Sequence, residues 1–269
     1  EDSKSTLVGD TLLSSAFVSY ISPFDAEFRE MIWRDQWVPD LETKEIPLTE
    51  HITPLSCLTD EASTAKMISE GLPSDAGSVE NGAIVTNTLR WPLFIDPQLQ
   101  GLQWLQSRFA KAAEATEEDD NNMDDFDADG DGNNGPQDVL MIQLGGDGTW
   151  LNKLKIAISN GQTVVIENLG NEIDSTIDPI LQRKIVKKGR GRYIELGGEM
   201  IEYDPNFYLY LQTKLSNPHY KPEVFAQCTV INFIATEAGL QDQLLEKVVN
   251  NEKPELEAEK QDLARKQNE

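Results

Sequence analysis

The segment Thr163-Val164-Val165-Ile166-Glu167-Asn168 decides the fold class of this chain. A β-branched, apolar run follows Gly161 and ends at two polar residues. A short and uniformly apolar run of this kind is typical of a parallel strand that is buried on both faces. The segment therefore predicts a central strand of an α/β sheet.

The two polar residues at the end of this strand, Glu167 and Asn168, match the Walker B pattern of P-loop ATPases in position. In that pattern the first acidic residue helps to hold Mg²⁺, and a following glutamate orients the attacking water. An amide cannot take a proton from water, so Asn168 predicts a catalytic position without its base. The alternative interpretation is a core strand that ends in polar caps and has no nucleotide chemistry.

Composition excludes several classes of function. The chain has 269 residues, of which 47 are acidic and 23 basic, so its net charge is −24. This balance argues against a nucleic-acid partner, because phosphate neutralisation needs clustered lysine and arginine. No apolar run reaches the ~18 residues of a membrane span, so we expect no membrane partner.

Cys57 and Cys228 have no metal or redox spacing and indicate structural thiols. His51 and His219 are too isolated in the sequence to form a set of metal ligands.

A second candidate site is the segment 96–103, which follows an apolar strand at Trp91 and precedes a helix. The P-loop motif requires Gly, four residues and then Gly-Lys-Ser/Thr, so that backbone N–H groups cradle phosphate and the lysine reaches it. Here Asp96 replaces the first glycine, Leu102 the lysine and Gln103 the Mg²⁺-binding hydroxyl, and only Gly101 remains. The sequence therefore predicts a P-loop without a phosphate clamp, in which Leu102 fills the emptied pocket.

The remaining patterns predict alternating helices and strands, which indicates a parallel sheet. Helices are predicted over 6–20, 25–33, 150–158, 174–187 with a break at Pro179, 239–249 and 254–267. Strands are predicted over 83–86, 139–144, 207–211 and 230–233, with a hairpin over 193–203, a turn at 71–75 and a loop-rich connector over 39–58. On the first helix, the predicted apolar face comprises Leu7, Leu12, Leu13, Ala16, Phe17 and Tyr20.

Residues 114–138, which we name the acidic run, interrupt this pattern with many aspartates and glutamates and no basic residue. Self-repulsion and a lack of apolar side chains predict a disordered surface insertion. Asp127, Asp129, Asp131 and Asp138 also resemble the first, third, fifth and last ligand positions of a calcium-binding loop. Against calcium, the last position lacks the longer glutamate, and Pro136 opposes the helix that should follow.

The turn Gly145-Gly146-Asp147-Gly148-Thr149 follows a predicted strand and resembles the phosphate-binding motif of NAD kinases and diacylglycerol kinases. Its glycines would let a phosphate approach the backbone amides, and Asp147 would act as acid, base or metal ligand. A small-molecule kinase that uses this turn is therefore the alternative function. A simple turn into a helix explains the same five residues without a ligand.

Several ordered segments together resemble the fifth AAA+ module of a dynein heavy chain, and the axonemal branch more than the cytoplasmic one. The segments are 7–10 with Tyr20, 71–73, 80–82, 90–98, 166–170 with Asp178-Pro179, 213–220 and 239–245. The acidic run and the Gly-Gly-Asp-Gly-Thr turn depart from the family pattern. The resemblance explains most of the chain, whereas the kinase motif explains five residues.

The resemblance implies the large α/β subdomain of an AAA+ ring module, with a parallel sheet flanked by helices and a β-hairpin insertion. It implies N-terminal helices over 1–38 that lead in from the preceding module, the large subdomain over 39–250, and the start of a helical lid over 251–269. The chain is therefore expected to be a piece of a longer protein.

The resemblance also implies a structural module that does not hydrolyse ATP within an ATP-driven microtubule motor. Lys214 lies where a polar sensor residue is expected, and Val230 lies about where an arginine finger is expected. No catalytic residue and no cofactor are expected in this module, while ATP and Mg²⁺ would serve the parent motor. The predicted degenerate nucleotide pocket comprises Asp96, Gln98, Gly101, Leu102, Gln103, Glu167, Asn168 and Lys214.

The implied partners are the neighbouring AAA+ modules of the same heavy chain, and microtubules would be bound only by other parts of the motor. The implied location is the cytoskeleton in the cytoplasm, in the axoneme of a cilium or flagellum.

Overall fold

A computed structural model of the chain describes residues 2–120, 139–145 and 148–235, and also positions 237, 239–241, 244, 245 and 248. At 2–4 and 113–120 it describes the backbone alone. The chain divides into two compact units, one of residues 89–230 and one of residues 1–88 with 231–269. Within the described ranges, no helix is both long and apolar enough to cross a membrane.

The unit of residues 1–88 and 231–269 consists largely of helices. They are α1 (Asp2–Ala16), continued by a π-helical segment (Phe17–Ile21); α2 (Ala26–Met31), continued by a π-helical segment (Ile32–Trp37) into α3 (Val38–Thr43); α4 (Pro54–Leu58); α5 (Glu61–Ser69); and α6 (Ala76–Asn87). Asp25, Asp60 and Asp75 precede α2, α5 and α6, and each side chain accepts the N–H three residues later. These caps satisfy donors that a first helical turn leaves unpaired.

The predicted strand at 83–86 is wrong, because these residues belong to α6. Most of this helix is buried, including Val79, Ala83, Ile84 and Val85. Because nearly every side of this helix is buried, its sequence shows no clear 3.6-residue period and cannot be distinguished from a buried strand.

The N-terminal predictions need two further corrections. The second helix does not end near Trp33 but continues to Thr43, across the predicted boundary at 38/39. Pro39 follows the π-helical segment directly, at a point where the α-helical hydrogen-bond pattern is already interrupted, since the Val38 N–H bonds to the Trp33 carbonyl oxygen five residues earlier. On the first helix, Leu13 and Phe17 are buried as predicted, whereas Leu7, Leu12 and Tyr20 are exposed.

The unit of residues 89–230 contains the parallel sheet. Its elements are β1 (Trp91–Ile95), α7 (Gln100–Asp120), β2 (Leu140–Gln143), α8 (Thr149–Ser159), β3 (Thr163–Glu167), a 3₁₀ turn (Ser175–Ile177), α9 (Asp178–Leu181), β4 (Ile185–Lys188), β5 (Gly191–Leu196), β6 (Glu199–Glu202), β7 (Tyr208–Thr213), α10 (Pro222–Gln227) and β8 (Cys228–Asn232), which crosses the boundary between the units. The described strands of the main sheet lie in the order β2-β3-β7-β1-β8. This sheet and its flanking helices confirm the predicted α/β class.

The apolar segment at 163–166 is an inner strand of this sheet, as predicted. Its β3 lies parallel to β2 on one side and to β7 on the other, with Val164 opposite Leu140 and Leu209. Val164 and Ile166 have no exposed surface. Burial on both faces explains the uniformly apolar sequence. Gly161 (φ 67°) lies two residues after the end of α8 and turns the chain into β3, and an added Cβ there would lie 2.7 Å from Asp204 Oδ1.

The predicted hairpin over 193–203 is confirmed as β5 and β6, but it belongs to a second, three-stranded antiparallel sheet in the order β4-β5-β6. The helix predicted to reach 187 is therefore wrong beyond Leu181, because Ile185–Lys188 pairs with β5. Pro179 does not break this helix, since it lies in the first turn of α9. Pairing with β5, which follows later in the chain, overrides the local helical preference.

Helix α7 extends to Asp120 and so includes the first residues of the acidic run. Residues 121–138 lie outside the described residues, and so do the calcium-loop candidates Asp127, Asp129, Asp131 and Asp138. The proposed lid segment at 251–269 also lies outside them.

Candidate functional site

The candidate site lies at the carboxyl edge of the parallel sheet, where open α/β folds bind their ligands. Strand β1 ends at Ile95, β3 at Glu167 and β7 at Thr213, and these three strands are neighbours in the sheet. The structure thus brings the segment at 96–103 and the Glu167-Asn168 pair to the same edge of the sheet.

Asp96 fills the turn between β1 and α7. It has no exposed surface, and its Oδ1 accepts the N–H of Gln100 at 2.8 Å while its Oδ2 accepts the N–H of Leu102 at 2.9 Å. The turn requires a left-handed residue, Leu99 (φ 63°), whose N–H bonds to the carbonyl oxygen of Asp96. The carboxylate therefore lies directly on the free amides at the N-terminus of α7.

Burial and hydrogen bonding act on Asp96 in opposite directions. Burial raises the pKa of Asp96 above its ordinary value, because removal from water disfavours the charged form. The amides of Leu102, Gln100, Gly101 and Leu99 oppose this rise by stabilising the ionised carboxylate. The positive end of the α7 dipole favours the same form.

The other P-loop positions carry no positive charge. Leu102, in the lysine position, is buried with 4% of its surface exposed, which agrees with a packing role. Gly101 is buried, and Gln98 and Gln103 are exposed. The loop therefore presents a buried carboxylate and a buried apolar side chain at the positions of the first glycine and the lysine.

Gln212 joins the two halves of the site, and the sequence analysis missed it. This side chain has no exposed surface; its Nε2 donates to the Asp96 carbonyl oxygen at 3.1 Å and its Oε1 accepts the N–H of Asn168 at 2.9 Å. Next to it, Thr213 Oγ1 donates to the Leu169 carbonyl oxygen at 2.6 Å. The available signal was a Gln-Thr pair directly after the apolar residues of β7.

The remaining predicted residues lie at the rim of the site. Glu167 is half-buried, and Asn168 is exposed with a left-handed backbone (φ 57°). Lys214 is exposed, and in the described part of the chain it forms no ion pair. At the position proposed for an arginine finger, Val230 is a buried residue of β8.

The Gly-Gly-Asp-Gly-Thr turn is described only in part. Gly145 (φ 121°) and Gly148 (φ 75°) have left-handed backbones, and Gly148 precedes the first turn of α8. Gly146 and Asp147 lie outside the described residues. Among the described side chains, no group of three or more histidines, cysteines, aspartates or glutamates could hold a metal ion.

Comparison with known proteins identifies a family that spans both halves of the site. The family described as "ATP-binding dynein motor region" matches residues 65–269. The chain is 43% identical over 269 residues to the dynein beta chain of the flagellar outer arm of Chlamydomonas reinhardtii, covering 100% of this chain and 5% of that protein.

Two further relatives are also dynein chains. The chain is 45% identical over 265 residues to the ciliary dynein beta chain of Tripneustes gratilla and 42% identical over 266 residues to human dynein axonemal heavy chain 17, covering 98% of this chain and 5% of each relative. The chain thus spans about a twentieth of the length of these relatives. None of these matches supports the kinase alternative. Because the family match includes most of its residues, the chain belongs to the dynein motor-region family.

Proposed function

We propose that this chain is a structural AAA+ module of a dynein heavy chain, the fifth in its ring, and that it does not hydrolyse ATP. The observation that carries this proposal is the Asp96 carboxylate, which accepts the N–H groups of Gln100 and Leu102. In a working P-loop, amides at this helix N-terminus bind phosphate oxygens. Here the protein supplies its own anion, so the amides have no free capacity for a nucleotide.

Electrostatics supports the same conclusion. Two unit charges of the same sign about 4 Å apart repel each other by roughly 4 kcal/mol near a protein surface, so a phosphate beside Asp96 would be strongly disfavoured. Leu102 offers no compensating cation, and Asn168 offers no base to activate water. The residues at this edge therefore do not fit ATP with Mg²⁺, and the module needs no cofactor of its own.

The relatives suggest the context of this module. The proteins named above are dyneins of flagella, cilia and the axoneme, so we place this chain in an axonemal heavy chain of the cytoskeleton. Its direct partners would be the neighbouring AAA+ modules of the same chain. Other parts of the motor would contact the microtubule and use ATP and Mg²⁺.

Calorimetric titration with ATP and Mg²⁺, together with an assay of phosphate release, tests this proposal. We expect no binding heat and no turnover with the chain as it stands. Asp96→Gly restores the first glycine of the motif and frees two amides, so this variant should gain measurable binding of inorganic phosphate.

Asp174→Gly is the matched control, because Asp174 also caps a helical turn but lies exposed, outside the P-loop. It should gain no phosphate binding. Micromolar binding of ATP to the unchanged chain, or equal phosphate binding before and after Asp96→Gly, would contradict the proposal.

A further inference from the structure

A cluster of cations covers one end of the small antiparallel sheet. We name it the basic hairpin, and it comprises Lys184, Lys187, Lys188, Arg190 and Arg192. All five are exposed, and they lie within nine consecutive positions that contain no acidic residue. The net charge of the chain is −24, so this dense positive surface contrasts with the acidic composition of the sequence as a whole.

The charges of the basic hairpin are not balanced within the described part of the chain. None of the five side chains forms an ion pair there. Lys187 of β4 stands directly opposite Arg192 of β5 in the strand register. Like charges in directly opposed positions destabilise an antiparallel pair. A nearby anion would remove this repulsion.

Protection of the sheet edge explains only part of this cluster. Strand β4 is an edge strand, and lysines such as Lys187 and Lys188 keep such edges from pairing with other chains. Arg190, however, lies in the turn, and Arg192 lies on the central strand β5. Edge protection does not require these two residues, whereas recognition of an extended anionic segment does.

The net charge decides between a separate partner and a tethered one. A free polyanion would be repelled by the negative field of the whole chain before it reached the hairpin. An anionic segment of the same chain avoids this barrier, because a tether holds it at an effective concentration that can reach the millimolar range. The acidic run has eleven acidic residues and no basic one, so it is the complementary segment that this sequence provides.

The topology makes this contact possible. The acidic run leaves α7 and returns at the start of β2, and α8 packs against both β2 and β6 of the hairpin sheet. The residues between Asp120 and Val139 can span up to about 60 Å when extended. Because it is attached at both ends, the run can extend roughly 30 Å from its attachment points, about the diameter of a small domain.

We propose that the basic hairpin is the docking surface for the acidic run of the same chain. This interaction is separate from the proposed loss of nucleotide chemistry, since neither segment contributes to the P-loop. Its basis is electrostatic, so it holds a segment that has too few apolar residues to fold by itself.

Carbodiimide cross-linking followed by mass spectrometry tests this proposal, because the reagent joins lysines to carboxylates that touch. At low salt we expect links from Lys184, Lys187 or Lys188 to residues 114–138. These links should fall at least fivefold at about 1 M salt, where charges are screened beyond roughly 3 Å. The observed pairs Lys44–Asp40 and Lys155–Glu199 are internal positive controls.

A mixture of isotopically heavy and light chains shows whether a link lies within one molecule. Links between heavy and light chains alone would overturn the proposal in favour of docking between two copies. Detection of both control links without any link from the acidic run would also overturn it.

The sign of a stability change gives an independent test. If the run docks, Asp125→Asn, Asp127→Asn and Asp129→Asn together should lower the melting temperature at low salt, by about 2 °C or more, and the difference should vanish at high salt. Without docking, the same variant should melt at the same or a higher temperature, because it relieves the self-repulsion of the chain. The matched control, Glu42→Gln with Glu50→Gln and Glu172→Gln, removes three exposed acids elsewhere and should not melt lower.

Discussion

Two buried charges, one in each unit of the chain, are held in opposite ways. Asp96 has no exposed surface and Arg29 has 1%. The donors to Asp96 are main-chain amides of the next helical turn, within six residues of it. Arg29 instead donates to the Ser22 carbonyl oxygen at 2.7 Å, to Asn81 Oδ1 at 2.8 Å and to the Glu80 carboxylate at 3.4 Å.

The difference lies in what remains when the charge is removed. Backbone amides remain when the Asp96 side chain is replaced, so a chain without Asp96 keeps a cradle for another anion. A chain without Arg29 keeps the half-buried Glu80 and the buried Asn81 without their partner. Burial lowers the pKa of Arg29 and raises the pKa of Glu80, and each charge opposes the shift of the other. Removal of Arg29 therefore leaves side chains without their partner, whereas removal of Asp96 uncovers a potential anion-binding site.

Replacing Arg29 should give the largest effect. Arg29→Met should lower the free energy of unfolding by about 3–5 kcal/mol, because it leaves the half-buried Glu80 carboxylate without its counter-charge and the buried Asn81 without a donor. Urea denaturation measures this change. Arg34→Met is the matched control, since Arg34 lies on the same helix but is 68% exposed, and it should leave stability unchanged. Equal midpoints for the two variants would show that the Arg29 cluster contributes nothing.

Leu102→Lys tests whether the Leu102 side chain fills the pocket that a phosphate group occupies in a working P-loop. We expect a loss of about 2–5 kcal/mol, because the variant removes a buried leucine and places an ammonium group among apolar atoms. Thermal melting with and without ATP and Mg²⁺ measures the effect. Gln103→Lys adds the same charge at the neighbouring exposed position and should change little. Stabilisation of Leu102→Lys by ATP would show a latent nucleotide site instead.

Asp96→Asn should cost about 1–2 kcal/mol at neutral pH. The amide side chain keeps one acceptor, but it turns an N–H donor toward the second of the two backbone N–H groups. Denaturant midpoints measure the difference. The same substitution at the exposed cap Asp174 should cost less, and an equal cost at the two positions would argue that Asp96 is an ordinary cap.

The pH dependence should be the smallest effect. Because burial raises the folded pKa of Asp96, the folded chain binds a proton more readily than the unfolded chain. The free energy of unfolding of the unchanged chain, minus that of Asp96→Asn, should therefore increase as the pH falls through the pKa of Asp96 in the folded chain. It should stop increasing below the pKa of Asp96 in the unfolded chain, near 3.9. Unfolding curves of both proteins between about pH 3.5 and 7 measure this trend. A difference that falls toward acid pH would mean that the amides outweigh burial.

The contrast between Asp96, whose partners are local, and Arg29, whose side-chain partners are distant, also explains how far the sequence could predict the structure. Asp96, Gly101 and Leu102 form a local motif, so their positions along the chain predict a turn from β1 into α7, and in the structure Leu102 is buried at the start of this helix. The side-chain partners of Arg29, which are Glu80 and Asn81, lie far away in sequence, as do the partners of Gln212, and nothing near these residues indicates them. The strand β3 was predictable because it is short, β-branched and bounded by Gly161. Helix α6 was not, because burial on nearly all sides removed its periodicity.

The position of β1 also has a consequence for the synthesis of this chain. Its neighbours in the sheet are β7 and β8, and its Leu93 pairs with Leu211. A ribosome adds roughly 5–20 residues per second. The wholly apolar β1 is therefore synthesised roughly 6–25 seconds before β7, the first of its two strand neighbours to be made, is complete. During that time its apolar side chains and unpaired backbone are open to aggregation. Newly made copies should therefore depend on chaperones that cover this strand until β7 leaves the ribosome.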